Sequence, residues 1–308
     1  MAGKCAEQTA ITARPAFSFK QLPAISSLKR GGRWIPLFSF VILISAFEIL
    51  PFCRMLLLSL EDPAGGLSLF HYSEVASHRF YLLALKNSFS LSLVSSLIGL
   101  SIGMAGASAL TNLPESYRNH LLVLTNLTSN FAGVPLAFAF IVLLGTNGLM
   151  TLGLKAAGIP LYHYFTLYSW TGLTLIYIYF QVPLAIMLLY PSFLGLRPEW
   201  KDAVHNLGGT TFHYWFHVGL PAILPALTGT FSILFANAMG AYATAYALTS
   251  GNYNLAPLRI GSLVAGNVDL NPNLAAAIAV WLITGTLGIM FANQVLISLY
   301  QRRRSHGG

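Results

Sequence analysis

Residues 198–221 read PEWKDAVHNLGGTTFHYWFHVGLP, the longest polar interruption in the second half of the chain. Pro198 suits a first helical turn, where its missing N–H costs nothing, and Glu199 and Asp202 then lie near the positive end of the helix dipole. Trp200, Ala203, Val204 and Leu207 recur at i, i+3, i+4 and i+7, forming one apolar face. Lys201, Asp202, His205 and Asn206 form the other. Gly208 and Gly209 supply a residue able to take positive φ and end the helix, and Thr210 or Thr211 can cap a second arm from Phe212 to Val218. Leu220-Pro221 hands the chain to the next apolar segment. The stretch therefore predicts a helix–turn–helix hairpin set between two hydrophobic spans.

Around it the chain is apolar. Of 308 residues, 55% are hydrophobic and only 8% charged, against about 25% charged in a soluble domain. This is the composition of an all-α integral membrane chain. The net charge of +8 does not make a nucleic-acid footprint, because the basic residues sit at the ends of apolar spans and not on one soluble face. Residues 1–33 carry six Lys and Arg against one acid, Glu7, and read as a basic cytoplasmic tail. Residues 34–300 read as a membrane domain with spans at about 35–59, 84–111, 121–145, 166–194, 222–249 and 274–299, each long enough for a hydrocarbon core of about 30 Å. Residues 301–308, QRRRSHGG, read as a second cytoplasmic tail.

Six spans put both termini on one side. With that side inward, Arg118, Arg197 and Lys201 join the two tails to give twelve basic residues inside, against Arg79, Lys86, Lys155 and Arg259 outside. The asymmetry assigns the hairpin to the cytoplasm. Residues 146–165 are Gly-rich and suggest a re-entrant or interfacial helix on the outer side. Loop 60–82 suggests one short helix, and loop 250–272 another at 258–264.

Within the spans, Gln181, Asn237, Tyr242, Thr244 and Tyr246 are polar groups that must find partners, water or a solute. They are the candidates for a translocation path. Glu48 is the only acid well inside a span, which disfavours an ion-coupled secondary transporter, since such proteins use ionisable groups near mid-membrane. No G-x-x-x-x-G-K-[ST] stretch exists, so the chain has no Walker A loop of its own. His213 and His217 share a face at i, i+4 without the acid of H-E-x-x-H, and no metal site is expected. Neither Cys5 nor Cys53 lies in a pattern of disulfides or metal ligands.

Asp202-Ala203-Val204, three residues, Gly208, nine residues, Val218, one residue and Leu220-Pro221 resemble the EAA loop of binding-protein-dependent ABC importer permeases. That pattern is Glu-Ala-Ala, three residues, Gly, nine residues, Ile, one residue, Leu-Pro. The departures are Asp at 202, Val at 204 and Val at 218. The six spans and the hairpin between spans 4 and 5 extend the resemblance over roughly residues 34–300, a type I importer arrangement. It implies a non-catalytic permease subunit in the bacterial inner membrane, forming half of a path for a small polar or charged solute of the polyamine, thiamine, iron, sulfate or phosphonate kind. It implies as partners a cytoplasmic ABC ATPase dimer that uses ATP and Mg, a second permease subunit, a periplasmic or lipid-anchored solute-binding protein and membrane lipid. Trp200, Asp202, Ala203, Val204, Leu207, Gly208, Leu220 and Pro221 become the residues that couple to the ATPase. The alternatives are an ion-coupled secondary transporter and a membrane scaffold without transport activity.

Overall fold

The computed structural model describes residues 35–62, 65–159, 165–266 and 270–305. The expected basic tail at 1–33 lies outside them. Among the described residues the regular structure is helical, with one isolated bridge between Glu61 and Leu67. The chain divides into two units, Met1–Arg54 and Met55–Gly308.

The first unit holds α1 (Ile35–Ile44), a π turn at Ser45–Ile49 that contains Glu48, and the start of α2 (Leu50–Leu60). The second holds the rest of α2 followed by α3 (Phe70–Ser77), α4 (Arg79–Thr111), α5 (Glu115–Ser129), α6 (Val134–Leu144), α7 (Leu149–Ala156) and α8 (Trp170–Leu194). After these come α9 (Pro198–Asn206), α10 (Thr211–Tyr214), a second π turn at Trp215–Gly219, α11 (Leu220–Met239), α12 (Tyr242–Thr249), α13 (Ala256–Ala265) and α14 (Pro272–Ser305). Among the described residues, six stretches are long and apolar enough to cross a membrane: Leu37–Leu60, Arg79–Thr111, Val134–Ala156, Trp170–Leu194, Thr211–Met239 and Pro272–Leu299.

Two spans differ from expectation. The third, expected at 121–145, is divided: α5 is a separate helix with no buried residue, and the crossing stretch starts at Val134. The cause is local. Asn130 Nδ2 donates to the Asn126 carbonyl at 2.9 Å, and Gly133 follows at φ +77° and ψ −145°, a conformation essentially confined to glycine. Pro135 then sits in the first turn of α6. Part of the 146–165 segment is α7, while 160–164 lie outside the described residues. The fifth span, expected at 222–249, instead begins at Thr211 and ends at Met239. α12 is a separate short helix, because the chain turns at Gly240 and Ala241, where Tyr177 Oη donates to the Ala241 carbonyl at 3.0 Å. The sixth helix continues through the C-terminal basic stretch as far as Ser305.

Both π turns end two residues before a proline, Pro51 in one case and Pro221 in the other. A proline ring clashes with the carbonyl four residues back and removes one helical hydrogen bond. Widening the turn ahead of it, with Leu50 N–H bonding to the Ser45 carbonyl and Leu220 N–H to that of Trp215, lets the helix run on.

The core of the second unit is built on the pairing of α4 with α8. Gly103 lies so close to Ala185 that a Cβ on it would overlap the alanine methyl, the close approach that small residues allow between membrane helices. One turn away, Gln181 Nε2 donates to Ser95 Oγ at 2.8 Å, both buried. Leu91, Leu173, Ile176, Tyr177 and Phe180 continue this contact towards α6 and α12. At the start of α4, Asn87 Nδ2 donates to the Asn254 carbonyl at 3.0 Å, and Asn254 Nδ2 to the Phe80 carbonyl at 2.9 Å, which fixes the connection leading into α13.

Candidate functional site

The hairpin at 198–221 is locked at each joint by its own sequence. α9 starts at Pro198 with Glu199 in its first turn. At its other end Gly208 N–H bonds to the His205 carbonyl and Gly209 N–H to the Val204 carbonyl, each at 2.9 Å, the paired bonds of a Schellman closure. The two glycines serve different ends. Gly208 takes φ +79°, with nothing within 4 Å of where its Cβ would be, so the need is conformational. A Cβ on Gly209 would lie 2.6 Å from Val204 Cγ1, so there the need is space.

Of the two candidate caps, Thr210 is used. Its Oγ1 accepts from His213 N–H at 3.4 Å, and His213 Nδ1 accepts from Thr210 N–H at 3.4 Å, a reciprocal box that satisfies orphan donors at the helix start. The second arm is not a separate two-turn helix as expected, since the π turn at Trp215–Gly219 carries it into α11. Trp215 packs over Gly219, where a Cβ would stand 2.8 Å from the indole, and its ring centroid lies 6.1 Å from that of Phe193 in α8.

Between the two arms lies a groove of about 440 Å3, lined by Trp200, Ala203, Val204 and Leu207 from the first arm and His217, Val218, Pro221 and Ala222 from the second. It thus gathers five of the eight residues expected to couple to a partner. Leu207 is 89% exposed and Trp200 39%. Asp202 and Gly208 are exposed beside the groove. The N-cap of α9 is Arg197, so Asp202 does not cap its own helix, and among the described residues its carboxylate has no ion-pair or hydrogen-bond partner. Leu220 faces elsewhere. It joins Trp215, Phe193 and Met104 in the cluster that holds the hairpin to α4 and α8. Sequence periodicity missed His217, Val218 and Ala222 as groove residues, because the π turn rotates the second arm relative to a regular helix.

The path candidates separate into two groups. Gln181 and Thr244 are buried and fasten helices together, the first to Ser95 and the second by accepting Gly133 N–H at 3.0 Å on Oγ1. Asn237, Tyr242 and Tyr246 are exposed, and the two tyrosine rings stack with centroids 5.4 Å apart at 20°.

No family profile matches the chain. It is 25% identical over 222 residues to the spermidine/putrescine transport system permease protein PotB of Haemophilus influenzae, covering 72% of this chain and 74% of that protein. To the sulfate transport system permease protein CysT of Escherichia coli it is 25% identical over 137 residues, 44% of this chain and about half (49%) of the relative. A bacterial ABC transporter that imports the acidic polysaccharide alginate superimposes with a TM-score of 0.68 at 15% identity, over 86% of this chain and 94% of the other. The MetNI methionine ABC transporter in an inward-facing conformation gives 0.53 at 17% identity, over 71% and 94%. The chain is a homologue of ABC transport system permeases and has the fold of ABC importer transmembrane subunits.

Proposed function

We propose that this permease subunit forms half of the translocation path of an ATP-driven importer in the bacterial inner membrane, with both termini in the cytoplasm. It is driven through the 198–221 hairpin by a separate ATPase, which binds and hydrolyses ATP with Mg. The chain itself catalyses nothing. A second permease subunit completes the path, and a solute-binding protein delivers a small polar or charged solute. The observation that carries this reading is the exposed apolar face of α9. Leu207 and Trp200 project from a hairpin whose turn is fixed by the Schellman bonds that end the first arm and the Thr210 box that starts the second. A water-exposed Leu on a rigid two-turn helix gains about 1.5–3 kcal/mol when a partner covers it, and an amphipathic helix laid into a groove is a recurrent mode of recognition.

Leu207→Asp tests this directly. The side chain makes no contribution to the core clusters, so the variant is expected to insert and fold as the wild type does. Co-purification of the ATPase from membranes should fall by at least tenfold, because the change removes the apolar contact and asks a charge to be desolvated. Undiminished recovery of an active ATPase complex would count against the hairpin as the docking element.

A further inference from the structure

Two helix breaks meet within the second unit. One separates α5 from α6 and the other α11 from α12. The bond from Gly133 N–H to Thr244 Oγ1 at 3.0 Å ties the first break to the helix that follows the second. The bond from Tyr177 Oη to the Ala241 carbonyl ties the second to α8. Interrupted helices at membrane depth persist where they are buried in protein or line a cavity. Beside these breaks, Asn130, Asn237, Tyr242 and Tyr246 remain exposed.

Tyr242 and Tyr246 are held as a wall. A Cβ on Gly261 would lie 2.6 Å from Tyr242 Cε2, and one on Gly251 would lie 3.5 Å from Tyr246 Cε2, so each ring rests against a glycine. The two residues still keep 39% and 50% of their surface exposed. A stack backed in this way loses little freedom when a solute settles on it.

The chemistry of the wall has a sign. Three of the nearby donors are occupied within the protein: Asn130 Nδ2 by the Asn126 carbonyl, Gly133 N–H by Thr244 and the Tyr177 hydroxyl by Ala241, which among the described residues leaves the side-chain amide of the exposed Asn237 as the open N–H donor beside the breaks. Residues 119–154 and 202–258, which contain both breaks, include no Lys or Arg. Arg259, just beyond, is turned to other partners, with Nε donating to Asn254 Oδ1 at 2.9 Å and the guanidinium 4.9 Å from the centre of the Phe80 ring. Apart from two phenol hydroxyls and the Asn237 amide, the wall offers π faces, with no cationic side chain among its donors. An oxyanion entering here would trade its water for too few N–H donors, whereas an ammonium group is drawn to the negative faces of the rings.

We propose that the Tyr242–Tyr246 wall at the paired breaks is a solute-binding station for an aliphatic ammonium group and disfavours oxyanions. The proposal rests on the permease reading above and names the solute class for that path. It is tested with the complete importer, comprising this chain, its second permease subunit, the ATPase and the binding protein, in proteoliposomes with radiolabelled spermidine and sulfate as probes. ATP-dependent spermidine uptake is expected. Its kcat/KM should fall about tenfold in Tyr246→Leu, as loss of a desolvated cation–π contact implies, and stay within about twofold in Tyr246→Phe, which keeps the ring. Uptake of sulfate in place of spermidine, or equal uptake by the Leu and Phe variants, overturns the station while leaving the permease reading intact. Failure of the ATPase to assemble with the wild-type chain overturns both.

Discussion

Gly208→Asp is expected to leave the protein folded in the membrane while reducing ATP-driven uptake at least tenfold. The local cost is small. Nothing within 4 Å meets a Cβ at this position, and Asp tolerates positive φ better than most residues, so the turn loses about 1 kcal/mol. That is too little to unfold a hairpin whose Schellman bonds and Thr210 box remain. The large effect arises at the docked surface, where a carboxylate beside the groove must be desolvated against the ATPase without a matched partner. Gly208→Asn separates the two contributions, since it takes the same φ without the charge, and it should retain most of the uptake. Uptake in membrane vesicles, normalised to the permease present, is the measurement. Equal loss in the Asp and Asn variants would place the defect in the turn and not at the interface.

Gly103→Leu should have the opposite character, removing the folded protein and not its coupling. α4 and α8 touch at this residue so closely that even a methyl would overlap Ala185, and neither backbone can retreat without opening the contacts at Gly99 and Gly106. Overpacking a core usually costs about 1–3 kcal/mol, and a leucine forced between two helix backbones belongs at or above the top of that range. A loss of about 3 kcal/mol is a large part of the stability of most domains. Gly106→Ala provides the contrast. Its new methyl would meet Ile186 Cδ1 at 2.8 Å, the far end of a flexible side chain, which can rotate away. Thermal unfolding in detergent, followed by loss of the monodisperse peak, should show a drop in midpoint beyond 10 °C for the first variant and little change for the second.

These cases show where the sequence is informative. The hairpin was legible almost residue by residue because its signals are local: a proline at N1, a 3.6-residue apolar period, two glycines and a threonine within fourteen positions. Its second arm was misjudged because Leu220-Pro221 reads as a stop, and only the π turn at Trp215–Gly219 explains how a helix passes through it. The third and fifth spans were displaced for a related reason. Average hydropathy does not register a break made by one Asn-to-carbonyl bond and a glycine at positive φ, as at Asn130 and Gly133. Polar residues inside spans are equally ambiguous in sequence. Gln181 and Tyr246 look alike as candidates for a path, yet the first is consumed by Ser95 across the α4–α8 contact and the second lies open. The difference depends on the register of a neighbouring helix some 86 positions away, which no local pattern contains.

If the groove face of α9 docks a cytoplasmic ATPase, position 207 lies against that subunit in the assembled importer. A photo-reactive residue placed at Leu207 reads this contact, with a second at Leu149 of α7 as a control, an exposed residue on a segment assigned to the opposite side by charge. Irradiation of intact membranes should join position 207 to the ATPase and should leave position 149 unjoined to it. Absence of the adduct at 207 in a complex that hydrolyses ATP and imports solute would rule out α9 as the docking element.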